Sequence, residues 1–333
     1  MKNNMKLYLF PPRSKNEFLN INIKKLESLD FIVQKTDMSF VGELLKLKRD
    51  SIVVLNWAED RVYGHSYKRF IFAFLKMFSM ILFSKLFAKK VVWVRHNFAP
   101  HDGSTRHYRY KSLCALYSLL NIKPIALEPY YSTPSLVHPL YKSDAQIKLD
   151  IESAKKINCP PDNMVVFFGA VKRYKNLHQM LDSWPKNVPL KIAGYCDDPA
   201  YQKLLENKIS ENQLNVDWLN KFLSLDELNT TLQNAKFVLL PHARNTMISS
   251  GSFYHAIGEG CNVITNTSEF GNFKRQQHKF VSLYDPSILT AAYLNDIYVD
   301  RASVMEEALS YYGESNVVDA WRTLLLEQNE NDI

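Results

Sequence analysis

The sequence predicts an α/β protein built from two domains, each with a parallel sheet covered by helices. Three observations carry this. Short apolar runs alternate with longer helical patterns along the whole chain, which is the rhythm of parallel sheets covered by helices. That rhythm breaks once, at a polar stretch around 143–163, and then restarts. The length of 333 residues fits two domains of ordinary size.

In the first half the apolar runs predict strands at 6–10, 31–35, 51–56, 91–95 and 123–127. Helical patterns lie between them at 18–29, 42–48, 67–87 and 106–120. The interruption closes with Cys159-Pro160-Pro161-Asp162-Asn163, a helix-stopping and turn-forming sequence. The second half predicts strands at 164–168, 190–193, 216–219, 237–240 and 262–265. Its helices are expected at 176–184, 200–210, 225–235 and 250–259. The expected organisation is an N-terminal domain at 1–145, a linker at 146–163 and a second domain at 164–316. A last amphipathic helix within 317–333 is then free to pack back on the first domain.

Composition narrows the function classes. Apolar residues make up 46% and charged residues 23%, enough for two cores and far from a disordered chain. The four cysteines are scattered, with neither a CxxC pair nor metal-ligand spacing, so reduced thiols and a cytoplasmic protein are expected. The N-terminus MKNNMKLYLFPP lacks the apolar core of a secretory signal. No run of about 18 uncharged apolar residues occurs, so no transmembrane helix is expected. The net charge of +7 suits an anionic ligand or surface. No nucleic-acid-binding motif accompanies it, and a nucleic-acid partner is not expected.

Two segments of the second half carry chemistry. In the first, an apolar run ends at Gly169, and the loop Lys172-Arg173-Tyr174-Lys175 then leads into a helix. Glycine permits close approach of a backbone or ligand, and the cations together with a helix N-terminus favour a diphosphate. A solvated basic loop would show the same residues. In the second, the run Phe237–Leu240 ends in Pro241, and Ser249-Ser250-Gly251-Ser252 opens a helix that closes at Gly258-Glu259-Gly260. Such a helix start caps itself, yet its free N–H groups also bind phosphate. Loops at the carboxyl ends of neighbouring parallel strands form the crevice in which open α/β sheets hold ligands.

The runs "FFGAVKRYKNLHQML…PLKIAGY", "VDWLNKFLSLDELNTTLQNAKFVLLP" and "SSGSFYHAIGEGCNVIT" occur in this order over about 100 residues. Together they resemble the nucleotide-sugar domain of GT-B glycosyltransferases, in particular those of bacterial capsule, O-antigen and exopolysaccharide assembly. The resemblance implies two Rossmann-like, doubly wound domains facing across a cleft, with an N-terminal acceptor domain and a C-terminal donor domain. It places Lys175 and Arg173 on the donor diphosphate, with Gly169 at the loop. Gly194 and Tyr195 would line the base, flanked by Phe222 and Leu223, and Ser250, Gly251 and Ser252 would offer N–H groups to phosphate. Many retaining GT-B enzymes carry two glutamates eight residues apart in the last segment. The matching positions here are Met247 and His255, so that pair is absent and the stereochemistry stays open.

The implied activity is transfer of a sugar from a nucleotide-sugar donor to a growing lipid-linked surface glycan, without cofactor or metal. The base is expected from the first domain, where two segments follow predicted strands. One is Asn56-Trp57-Ala58-Glu59-Asp60, and the other runs from Arg95 through His96 to Asp102. His96, Glu59, Asp60 and Asp102 are the candidates. His138, in Val137-His138-Pro139, reads as core packing. Residues 66–90 hold six cations, no acid and a dense set of Phe, Met, Ile and Leu. Half of that pattern must cover a sheet, and the remainder suits peripheral contact with an anionic membrane. Two alternatives stand beside the transferase: a nucleotide-sugar-binding or scaffold subunit without catalysis, and a GT-B-fold epimerase.

Overall fold

The computed structural model describes residues 5–12, 16–35, 42, 47, 49–62, 66–98, 107–156, 165–242 and 247–326. The chain forms two compact units. Unit 1 comprises Met1–Pro139 together with Glu314–Ile333, and unit 2 comprises Leu140–Gly313.

In unit 1 the strands are β1 (Lys6–Phe10), β2 (Ile32–Lys35), β3 (Ile52–Asn56), β4 (Lys90–Val94) and β5 (Pro124–Ile125). They pair in parallel in the order β2-β1-β3-β4-β5. Every residue of β3 is buried, as expected for a central strand covered on both faces. Its helices are α1 (Glu17–Glu27), α2 (Tyr67–Phe87) and α3 (His107–Leu119). Asn16 caps α1 by accepting the Phe18 N–H at 3.1 Å. Helix α2 buries Met77, Met80, Ile81 and Ser84. The first three join Val53, Leu55, Trp93 and Tyr117 in one apolar cluster. By length and composition alone α2 could cross a membrane. As the crossover between β3 and β4, however, it has one face committed to the sheet.

Unit 2 contains β6 (Val165–Phe168), β7 (Leu190–Ala193), β8 (Val216–Leu219), β9 (Phe237–Leu240), β10 (Asn262–Thr265) and β11 (Val281–Leu283). Their order is β11-β10-β9-β6-β7-β8, all parallel. The strand order reverses between β6 and β9, which makes that boundary the topological switch point. The helices are α4 (Asp144–Lys156), α5 (Leu177–Ser183), α6 (Pro199–Glu211), α7 (Leu225–Gln233), α8 (Gly251–Gly258), α9 (Glu269–Gln277), α10 (Ala291–Asp296) and α11 (Arg301–Tyr312).

Helix α12 (Glu314–Leu326) returns to unit 1. Val317, Trp321, Leu324 and Leu325 enter the core that holds Leu7, Phe18, Val54 and Val94. Trp321 Nε1 donates to Asn22 Oδ1 at 2.6 Å, and Lys90 Nζ donates to the Leu324 carbonyl at 2.6 Å.

The segment expected as a linker, 146–163, needs correction. Its first part is helical, because α4 places Ile147 and Ile151 one turn apart on a buried face. The helix packs beside α11, and Lys155 pairs with Glu306 at 2.8 Å. The unit boundaries accordingly fall at 139/140 and 313/314 instead of around 145 and 316. The helix expected at 42–48 lies largely outside the described residues.

Candidate functional site

In unit 2 the site begins at the end of β6. Gly169 adopts φ +91°, a conformation that L side chains rarely take. Its N–H donates to the Ala193 carbonyl at 3.0 Å, and Val171 N–H donates to the Tyr195 carbonyl at 2.9 Å. The loop is thereby stitched to the segment after β7. A Cβ at Gly194 would lie 1.9 Å from the Gly169 carbonyl oxygen, so the two chains can approach this closely only because residue 194 is glycine.

A one-turn 3₁₀ helix follows at Arg173–Lys175, and Asn176, at φ +62°, redirects the chain into α5. The three loop cations part company here. Lys172 is bound by Asp197, and Arg173 Nε donates to Asp198 at 2.8 Å while its guanidinium lies over the Tyr201 ring. Lys175 turns inward and is only 7% exposed. Its ammonium lies 5.1 Å from the centre of the Phe167 ring. Among the described residues it makes no hydrogen bond or ion pair to an anionic group. Burial pulls its pKa down to about 8. A buried cation with no anionic partner among the described residues, in the connection that follows the strand beside the switch point, can stabilise an anionic ligand there.

Strand β9 pairs with β6 across that switch point, and the chain beyond it leads to α8. Ser250 is buried at the N-cap without a side-chain capping bond. Phe253 N–H is taken by the Ser250 carbonyl at 2.9 Å. The N–H groups of Gly251 and Ser252 precede any intrahelical acceptor and face the N-terminal side. At the other edge of the loop cluster Tyr195 packs on Phe222 at 4.6 Å between ring centres, tilted by 36°. Phe222 is 77% exposed, so this pair offers an open aromatic surface. Leu223 follows, half-buried.

His255, which stands where the resemblance would put a glutamate, stacks on Tyr141 at 5.0 Å and meets the edge of Phe168. Burial lowers it to about 4, and Met247 is also buried. Both positions of the missing acidic pair therefore carry neutral groups.

In unit 1 the strand order turns between β1 and β3, and Asn56 at the end of β3 bridges that point by donating to the Phe10 carbonyl at 3.2 Å. With its amide oriented in this way, Asn56 Oδ1 accepts from His96 Nε2 at 3.1 Å. The imidazole stacks on Trp57 at 4.0 Å and meets Phe18 edge-on at 5.2 Å. This bond assigns the proton to Nε2 and leaves Nδ1 with its lone pair. Burial first, and the neighbouring His138 second, lower His96 to about 3. His138 is buried, with Nδ1 at 2.8 Å from the Pro139 carbonyl.

Glu59 lies in the 3₁₀ turn after β3 and is 1% exposed. Its carboxyl accepts from Trp93 Nε1 at 3.0 Å. Burial, reinforced by the charge of Asp60, pushes it up to about 8, so it is protonated at neutral pH. Asp60 is half-buried beside it. Nearby, Arg95 donates to the hydroxyls of Tyr110 and Tyr131 and to the Phe98 carbonyl. Asp102 lies outside the described residues.

Among solved structures, the chain is similar to HepE of Anabaena in complex with UDP. That pair is 13% identical with a TM-score of 0.63, covering 97% of this chain and 99% of that one. HepE in complex with UDP-glucose gives 14% identity and a TM-score of 0.60. AviGT4, a glycosyltransferase involved in Avilamycin A biosynthesis, is 12% identical with a TM-score of 0.57, over 96% of this chain and 98% of that one.

The fold is GT-B.

No family model and no curated protein sequence matches the chain. Within this GT-B chain, the sequence-derived residues Gly169, Lys175, Gly194, Ser250 and Gly251 all lie in the connections that follow β6, β7 and β9, Lys175 in the 3₁₀ turn and Gly251 as the first residue of α8. Arg173 lies on the same loop as Lys175, where its exposed guanidinium pairs with Asp198. In unit 1, Asn56 and Trp57 are the partners that sequence reasoning left without a role. Their signal was their place at the last residue of a buried strand and the one after it.

Proposed function

We propose that this protein is a glycosyltransferase whose unit 2 holds a nucleoside-diphosphate sugar and whose unit 1 supplies the acceptor side. Lys175 carries the reading: a buried ammonium with no anionic partner among the described residues, at the switch point of the sheet. A diphosphate supplies the missing charge. The N–H groups of Gly251 and Ser252 add donors to it, and the Tyr195–Phe222 surface offers stacking to the base. The complexes of HepE with UDP and UDP-glucose support a nucleotide-sugar donor.

In the transfer, the acceptor hydroxyl gives its proton to a base as its oxygen bonds the sugar's anomeric carbon. The bond from that carbon to the diphosphate oxygen breaks, and the nucleotide leaves with the electron pair. Lys175 and the α8 N-terminus stabilise this leaving group without a metal. His96 is the base through Nδ1, held in its tautomer by Asn56. The acceptor is a growing lipid-linked surface glycan of the capsule or O-antigen type. The enzyme is cytoplasmic, at the inner face of the plasma membrane. The free thiols Cys114, Cys196 and Cys261 are in keeping with that compartment.

One observation favours a second reading, a donor-binding subunit without catalysis. Burial holds His96 far below neutrality and keeps Glu59 protonated, so neither is a strong base in this state.

The deciding experiment is a thermal-shift screen with nucleoside diphosphates and nucleotide sugars, followed by turnover assays. Saturation at about 100 Kd stabilises the native state by about 2.7 kcal/mol. A responding nucleotide with measurable transfer, unaffected by EDTA, supports the enzyme. His96→Ala should then lower turnover by roughly 10²–10⁴ with donor binding retained. Binding without turnover favours the second reading, and no response to any nucleotide removes the donor site.

A further inference from the structure

Helix α2 carries two apolar faces where a crossover helix needs one. The inward face holds Met77, Met80, Ile81 and Ser84 against the sheet. On the other side, Ile71, Leu75, Phe78, Leu82 and Leu86 follow one another at steps of four, three, four and four residues, the spacing of a single helical stripe. Ile71, Leu75, Phe78 and Leu86 are exposed, Leu75 and Leu86 by more than half. Phe72, at the edge of the stripe, is 63% exposed. At 100° per residue this stripe lies opposite the buried one. At about 1.5 Å per residue the 21-residue helix offers a face about 30 Å long.

Charge selects the occupant. Lys68 and Arg69 stand in the first turn, Lys85 in the last, and Lys89 just beyond. Lys76 borders the stripe with its ammonium 4.7 Å from the Phe72 ring centre. Residues 66–90 contain no carboxylate. A second copy of this helix would bring only like charge. A surface with an apolar interior and anionic headgroups matches both features.

We infer that the outward stripe of α2 lies in the plane of an anionic lipid bilayer, with its apolar side chains at the acyl boundary and its cations among the headgroups. The inward face remains on the sheet, so the helix docks without spanning. This deepens the proposed acceptor assignment by naming the element that brings the enzyme to a lipid-carried acceptor. It rests on none of the donor-site residues.

The test is cosedimentation of the full chain with vesicles of phosphatidylglycerol and phosphatidylcholine, set against phosphatidylcholine alone. The wild type should bind the anionic vesicles and release at 1 M salt. Phe72→Ser/Leu75→Ser/Leu86→Ser should lower binding by about ten-fold or more. All three positions are more than half exposed, so circular dichroism and the nucleotide response should not change. Lys68→Ala/Arg69→Ala/Lys85→Ala should remove the preference for anionic vesicles. Failure to bind anionic vesicles overturns the inference, as does equal binding by wild type and serine variant. So does a wild-type dimer that the serine variant makes monomeric, which would assign the face to a second copy. Vesicle binding without any nucleotide response leaves this inference standing and removes the donor reading instead.

Discussion

At Lys175 the proposed donor binding and the demands of folding oppose each other, and both can be measured on one side chain. Its folded pKa of about 8 lies below the 10.5 of a solvated lysine, so burial disfavours the charged form and costs native stability wherever both states are protonated. Lys175→Met should therefore stabilise the ligand-free protein by on the order of 3 kcal/mol at pH 7, with the gain vanishing as pH rises through 8 toward 10.5. Thermal denaturation against pH reads this directly. Lys175→Ala should weaken donor binding by about 1.5–3 kcal/mol, the range for a hydrogen bond to a charged group. Because diphosphate raises the ammonium pKa again, wild-type affinity should be fullest below pH 8 and fall as pH climbs through it, as calorimetric titration would show. The loop's basic character was legible in the sequence. Which of its three cations turns inward was not, since that depends on Asp197, Asp198 and Tyr201, some 25 residues further on.

The elements divide by how much local chemistry specifies them. The central strands were readable almost to the residue because β6 and β9 are short, fully buried apolar runs ended by glycine or proline, and β10 is a buried run with Val263 and Ile264 at its centre. Strand β11 escaped because only one of its three residues is buried. Helix α4 escaped because two isoleucines among charged residues make a faint stripe, and the following prolines suggested a linker. Pairings between distant elements, such as Asn56 with His96, leave no local trace at all. The meeting of the β6 and β7 ends is likewise nonlocal, and it makes a sharp prediction. Gly194→Ala places a methyl 1.9 Å from the Gly169 carbonyl, a backbone atom that can move only by distorting the Lys175 loop. The variant should lose more than about 2 kcal/mol in denaturant melts and lose nucleotide binding together with it. A variant with wild-type stability would mean that the two strand ends do not approach this closely.

At the scale of the whole molecule, the chain leaves unit 1 near residue 139, completes unit 2, and returns at residue 314 to finish the first core. The two sheets therefore depend differently on the C-terminus. In unit 1, α12 supplies Val317, Trp321, Leu324 and Leu325 to the same cluster as strands β1, β3 and β4, and Trp321 satisfies the buried Asn22 amide. Unit 2 has its own cluster, running from Val165 to Leu294, with no residue drawn from α12. Deleting residues 314–333 should therefore expose the apolar face of α1 and destabilise unit 1, since each large buried side chain removed is worth about 1.5–3 kcal/mol. Unit 2 should keep its strands and its Lys175 loop. Hydrogen exchange on the truncated chain should show lost protection in β1, β3 and β4 with β6, β7 and β9 still protected, and the nucleotide that stabilises the full chain should still bind. If both units lose protection together, the second core depends on the first, and cooperative unfolding of the pair replaces the picture of two separately closed sheets.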